Sequence, residues 1–150
     1  MKKNTESLFS FIITFIGIAV AVMIFFPALS FQNSDSSFLG YEVVFGTEFF
    51  YLDSLQIVWS FWGVLAYLLP LIASLVMLYF KKSSIISLLL FTVGAVLLFT
   101  LPLYTTTTVT ILSIVTEIEF DWILSYGLII AGILSSMGAF LCLYRLTYKK

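Results

Sequence analysis

A chain of 150 residues in which 61% are hydrophobic and 10% charged lies far from the globular average, where roughly a quarter of residues are charged. Seven basic side chains nearly cancel eight acidic ones, there is no histidine and there is one cysteine. Imidazole catalysis, most transition-metal coordination, a paired-thiol redox motif and an internal disulfide are thereby excluded, and no basic patch suits nucleic acid.

Four apolar runs, residues 8–26, 55–80, 85–103 and 122–144, contain no Asp, Glu, Lys, Arg or His. About 20 such residues cross a bilayer as a helix, and lipid leaves the backbone no other partner. The expected fold is an all-α membrane protein, a four-transmembrane-helix bundle forming one domain over residues 1–150. The first run follows Lys2 and Lys3. Ala28-Leu29-Ser30 loosely fits a signal-peptide cleavage site, but an apolar core of 19 residues exceeds the usual 7–15, so this span is expected to be retained. Pro27 stops it.

Residues 27–54 form the longer of two loops. Phe38 to Phe45, Gly46-Thr47 and Glu48 to Leu52 read as two strands about a Gly-X turn, a β-hairpin that gains a third strand from residues 29–32 or packs on the helix ends. Asp53-Ser54-Leu55-Gln56 has the spacing of a capping box where the second span should begin. Pro70 predicts a kink within that span. Residues 81–84 are a short loop holding Lys81 and Lys82, and Ser83 or Ser84 can cap the third span, which Pro102 helps to end. In the second long loop, 104–121, Thr105-Thr106-Thr107-Thr108-Val109-Thr110 favours an extended chain, either paired with the hairpin or free. Asp121 and Trp122 suit the start of the fourth span, at the dipole and at the membrane interface. Arg145, Lys149 and Lys150 follow it.

Every basic residue thus falls before the first span, between the second and third, or after the fourth. Positive ends stay in the cytoplasm, so the N-terminus, the C-terminus and loop 81–84 are expected inside and both long loops outside a plasma membrane. Seven basic side chains against Glu6 alone leave about +6 inside, and seven carboxylates leave about −7 outside.

Within the spans, Gly127, Ala131, Ser135 and Ala139 form one small face at four-residue spacing, for helix packing in the bundle or in a homo-oligomer. Gly17 and Ala21, and Gly63 and Ala66, are candidate facing surfaces. Cys142 reads as a small buried hydrophobe. With no carboxylate in any span, proton-coupled export is disfavoured. Glu117, Glu119 and Asp121 alternate, so in an extended segment they would share a face able to hold a hard cation such as calcium; the plainer reading is a solvated acidic flank, with no metal and no cofactor. Tyr41, Phe45, Phe49, Phe50 and Tyr51, with Phe38, form either an interaction surface or a layer packed on the helix ends.

Phe25-Phe26-Pro27-Ala28-Leu29, Gly40-Tyr41-Glu42-Val43-Val44-Phe45-Gly46 and Tyr67-Leu68-Leu69-Pro70-Leu71, with the Lys-rich start, resemble small uncharacterised four-span proteins of Gram-positive and wall-less bacteria. The resemblance implies the fold and no particular activity. The loop layout is also similar to claudin-like tetraspan proteins in architecture, although Trp59-Ser60-Phe61-Trp62-Gly63 reads as lying inside the second span and the loop lacks a Gly-Leu-Trp signature and a cysteine pair. The expected function is non-enzymatic: a structural or accessory component in the lipid bilayer that contacts a membrane or envelope partner through its outer loops. The alternative is a passive channel or transporter subunit lined by Thr14, Ser60, Ser74, Ser87, Thr92, Ser125 and Ser136.

Overall fold

The structure, a computed structural model, describes residues 2–31, 36–49, 52–80, 84–111 and 114–148. Among the described residues four helices are long and apolar enough to cross a membrane. They are α1 (Lys2–Val22), continued by a 3-10 turn to Phe25, α3 (Phe61–Tyr79), α4 (Ser84–Tyr104) and α5 (Tyr126–Tyr148). At most 44% of any span is buried against the rest of the chain, which leaves most of each apolar surface for lipid. A multi-pass membrane protein follows from these four helices.

Helix α1 packs on α3 and α5, and α4 packs on the same two, so the bundle is a ring with α1 and α4 on one diagonal. Small residues set its close approaches. A Cβ added at Gly94 of α4 would stand 2.6 Å from Cγ of Pro70 on α3, and one at Gly138 of α5 would stand 2.6 Å from the Phe91 ring. Gly17 of α1 lies against Ser74 and the Pro70 carbonyl in the same way. In lipid, where hydrophobicity does not hold helices together, such close packing does. Helix α3 continues through Pro70, whose ring fills the notch at Gly94.

The chain also builds a strand layer at one end of the bundle, drawn from both long connections and larger than a single hairpin. Its elements are β1 (Pro27–Phe31), β2 (Ser37–Leu39), a short helix α2 (Gly40–Phe45), β3 (Thr47–Phe49), β4 (Leu52–Ile57), β5 (Thr107–Ile111), β6 (Ile114–Ile118) and β7 (Trp122–Leu124). They form two antiparallel sheets, ordered β2-β1-β7 and β3-β4-β5-β6. The core beneath combines Leu29, Val43 and Val44 of this layer with Val20, Tyr67, Leu98, Leu101 and Leu128 of the bundle. A second core, of Ile13, Ile16, Ala73, Met77, Phe91 and Cys142, fills the opposite, basic end.

Several boundaries differ from the sequence reading. The second span begins at Phe61, because residues 55–57 belong to β4 and pair with β5 on one side, while Thr47 and Glu48 of β3 pair with Ile57 and Gln56 on the other. Its N-cap is Ser60, whose Oγ accepts the Gly63 N–H at 3.2 Å, so Asp53-Ser54-Leu55-Gln56 is strand and not a capping box. Trp59 therefore precedes the helix and Trp62 lies in its first turn. The fourth span begins at Tyr126, since 122–124 pair with β1 and the Ser125 N–H donates to the Ala28 carbonyl at 2.8 Å. Asp121 consequently caps no helix. Residues 40–45 are helical, not a strand. Gly40, Val43 and Val44 are buried at a helical period, and Glu42 accepts the Leu39 N–H at 2.8 Å in the manner of a first-turn cap. Gly46, at φ 85°, ends that helix instead of forming the hairpin turn. The hairpin is β3–β4, joined through residues 50–51, which lie outside the described residues. The strand of residues 27–31 joins β2 and β7, not the hairpin.

Candidate interaction surface

The strand layer is pinned by aromatic rings. Phe31 stacks on Trp122 with centroids 4.7 Å apart, and Phe38 meets Phe49 edge-on at 5.0 Å. Phe120 lies 5.4 Å from Phe31 and 6.1 Å from Trp122. Five rings from β1, β2, β3, β7 and the turn before β7 thus lock the two sheets together, each pair adding about 0.5–1.5 kcal/mol beyond its buried area.

This divides the aromatic set read from the sequence. Phe38 and Phe49 belong to the cluster. Tyr41 and Phe45 sit on the exposed face of α2, with Tyr41 6.4 Å from Phe25, and the side chains of Phe50 and Tyr51 lie outside the described residues. Trp122, which with Asp121 suits a helix start at the membrane interface, instead pairs with Phe31 of β1 across most of the chain, and Phe31 and Phe120 carry no signal of their own in the sequence. On the other flank Trp59, Phe61, Trp62 and Tyr104 are exposed and contact one another in succession at 6.3, 5.9 and 5.8 Å. A run of exposed Trp and Tyr at helix ends is the arrangement that anchors a bundle at the headgroup level.

Strand alternation gives the larger sheet two different faces. Thr47, Ile57, Thr107 and Ile118 stand in one cross-strand row, and Ile57 and Thr107 within it are buried. Glu48, Gln56, Thr108 and Glu117 form the next row, on the opposite face, where Gln56 Nε2 donates to Glu48 Oε1 at 3.1 Å. The sequence-predicted trio does not gather. Glu117 is on β6, whereas Glu119 and Asp121 lie beyond it in a segment closed by the Trp122 N–H donating to the Phe120 carbonyl, so the two-residue alternation ends at Ile118. Among the described residues no three His, Cys, Asp or Glu side chains are grouped as a metal site requires.

The small face of α5 is used inside the bundle. Gly127 abuts Phe26 and the Pro27 carbonyl, Ala131 is buried, and Ser135 Oγ donates to the Phe91 carbonyl of α4 at 2.9 Å. Ala139 lines a groove of about 490 Å³ between α4 and α5, together with Thr92, Phe99, Thr100 and Ser136. The span hydroxyls do not converge on one path. Thr14 donates to the Ser10 carbonyl of its own helix and, at 3.5 Å, to the Ser74 carbonyl of α3; Ser74 donates to Leu71, Thr92 to Leu88 and Ser136 to Gly132, each within its own helix, while Ser87 donates across to Ala73. Ser60 is a cap and Ser125 lies between β7 and α5.

At the basic end the spans are not free of charge. Helix α5 runs on to Tyr148, so Arg145 falls within the fourth span, and its side chain folds inward to 5% exposure. Its Nη1 donates to Ser10 Oγ of α1 at 2.9 Å and to the Met77 sulfur of α3 at 3.2 Å. Ser84 of α4 also donates to that sulfur, at 3.9 Å. One guanidinium and one thioether therefore connect all four helices. Nothing in the apolar runs marked this, because Arg145 follows the last of them and Ser10 and Met77 lie on two other helices.

No protein family matches the chain, nor does any curated protein or solved structure.

Proposed function

We propose that this chain is a non-enzymatic accessory component of a bacterial plasma membrane that works by contact through its strand layer, with both termini and loop 81–84 cytoplasmic. The observation behind this reading is the layer itself. Among the described residues seven strands and a short helix, drawn from two separate connections, are folded onto one end of the bundle, far beyond what joining four helices requires. Glu42, Glu48, Glu117, Glu119 and Asp121 all belong to this end, while Lys2, Lys3 and Arg145, the basic residues among those described, belong to the other. That asymmetry supports the outward placement of the strands.

Site-specific photo-crosslinking in cells tests the reading. A photoreactive phenylalanine analogue at Tyr41, Val115 or Glu117 is expected to capture one reproducible partner, and the same analogue at the lipid-facing Phe140 or Leu143 is expected not to. Crosslinks from the lipid-facing positions alone, or from none of the strand-layer positions, would overturn it and send the work to liposome flux assays of a transporter subunit.

A further inference from the structure

Strand β6 is the last in its sheet and the least covered. Every residue from Ile114 to Ile118 is exposed, Ile114 at 68% and Val115 at 65%. Among the described residues no strand pairs with its outer edge, so N–H and C=O groups of alternate residues point away from the sheet. Edge strands that remain unpaired are normally blunted by charged residues, lysine above all, by proline or by a bulge. Ile-Val-Thr-Glu-Ile has Glu117 as its one charge, no lysine or proline, and its register with β5 runs from Thr107↔Ile118 to Ile111↔Ile114 without a shift.

The two faces of this edge differ in chemistry. Thr116 and Ile118 continue the row of Val109 and Thr107, which are buried in β5, but in β6 that row is exposed. Val115 and Glu117 continue the opposite, polar row of Thr110 and Thr108. Glu119 and Asp121 follow, both exposed. Neither long connection contains a Lys, Arg or His to balance these carboxylates. A second copy of β6 would therefore bring an acidic edge against itself, and like charges across strands are unfavourable.

We propose that the open edge of β6 accepts, by strand addition, an extended partner segment in which Lys or Arg alternates with apolar residues. Main-chain hydrogen bonds hold the added strand. Its basic side chains lie beside Glu117 and its apolar ones beside Ile114 and Ile118, since alternate residues meet opposite faces. This rests on the contact role proposed above and names the surface and the partner's chemistry.

The test uses the full chain in non-ionic micelles and three short synthetic peptides read by fluorescence anisotropy. One alternates valine and lysine, one alternates valine and glutamate, and the third is the valine–lysine peptide with alternate backbone nitrogens methylated. The first is expected to bind about tenfold or more tightly than either other, and Glu117→Lys to weaken it about tenfold. Glu117 is exposed, so this substitution leaves the fold intact, which the melting midpoint of the variant verifies. Equal binding of all three peptides, or indifference to Glu117→Lys, overturns the proposal. So does a crosslink from Val115 to a second copy of the chain. Capture of a partner from Tyr41 together with failure of the peptides would sink the edge assignment and leave the contact role standing, whereas absence of any strand-layer crosslink removes that role itself.

Discussion

Arg145 carries a charge into the bundle and is held there by a hydroxyl and a sulfur. Hydrogen bonds from charged groups contribute about 1.5–3 kcal/mol, so Arg145→Ala should loosen the basic end. Cys142, the single cysteine, is fully buried one turn earlier on α5 and reports this directly. Its rate of maleimide labelling in micelles is expected to rise about tenfold or more in Arg145→Ala, since each 1.4 kcal/mol of opening free energy is tenfold; an unchanged rate would show that the guanidinium does not close that end. Tyr67 presents the opposite case. Among the described residues its buried hydroxyl has no hydrogen-bond partner, a state that costs about 1–3 kcal/mol. Tyr67→Phe removes that cost without opening a cavity, so its thermal midpoint, read by a fluorogenic maleimide reacting with Cys142 on unfolding, should equal or exceed that of the parent. A clear drop would mean that the hydroxyl is satisfied.

The elements differ from one another in how they begin, and this can be tested. Loss of an N-cap costs about 1 kcal/mol, which for a chain of this size lowers the midpoint by roughly 2–4 °C. Ser60→Ala should show that loss because Ser60 Oγ holds the first turn of α3. Asp121→Asn should show none, since α5 begins five residues later at Tyr126. The reverse pattern would restore the helix starts read from the apolar runs. Helix contacts obey a second rule. Gly94→Ala pushes a methyl into the Pro70 ring, and overpacking of this kind costs about 1–3 kcal/mol. Val93→Ala, on the exposed side of the same helix, is the control and should shift the midpoint little.

For the whole molecule the testable quantity is sidedness. A cysteine introduced as Thr116→Cys is expected to react with a membrane-impermeant maleimide added to intact cells, whereas one introduced as Leu146→Cys, at the basic end, should react only after lysis. Labelling in the opposite sense would invert the bundle and place the strand layer in the cytoplasm. The groove between α4 and α5 is lined by the exposed Val96 and Phe99 and therefore opens toward lipid.

Four helices were legible from length and apolarity alone, because a run of about 20 uncharged residues has no other stable arrangement in lipid. The charge asymmetry and the strand preference of the threonine run were equally local properties. Residues 55–57 and 122–124 were not legible as strands, since they are apolar enough to extend a span and become strands only through Thr107, Val109 and Leu29, partners far away in sequence. The helix at 40–45 was local in principle, through the period of Gly40, Val43 and Val44, but its β-branched and aromatic residues favoured a strand until the bundle buried one face. The buried Arg145 and the open edge of β6 belong wholly to tertiary structure: which side chain is covered, and which strand is last in a sheet, depend on where the rest of the chain lies.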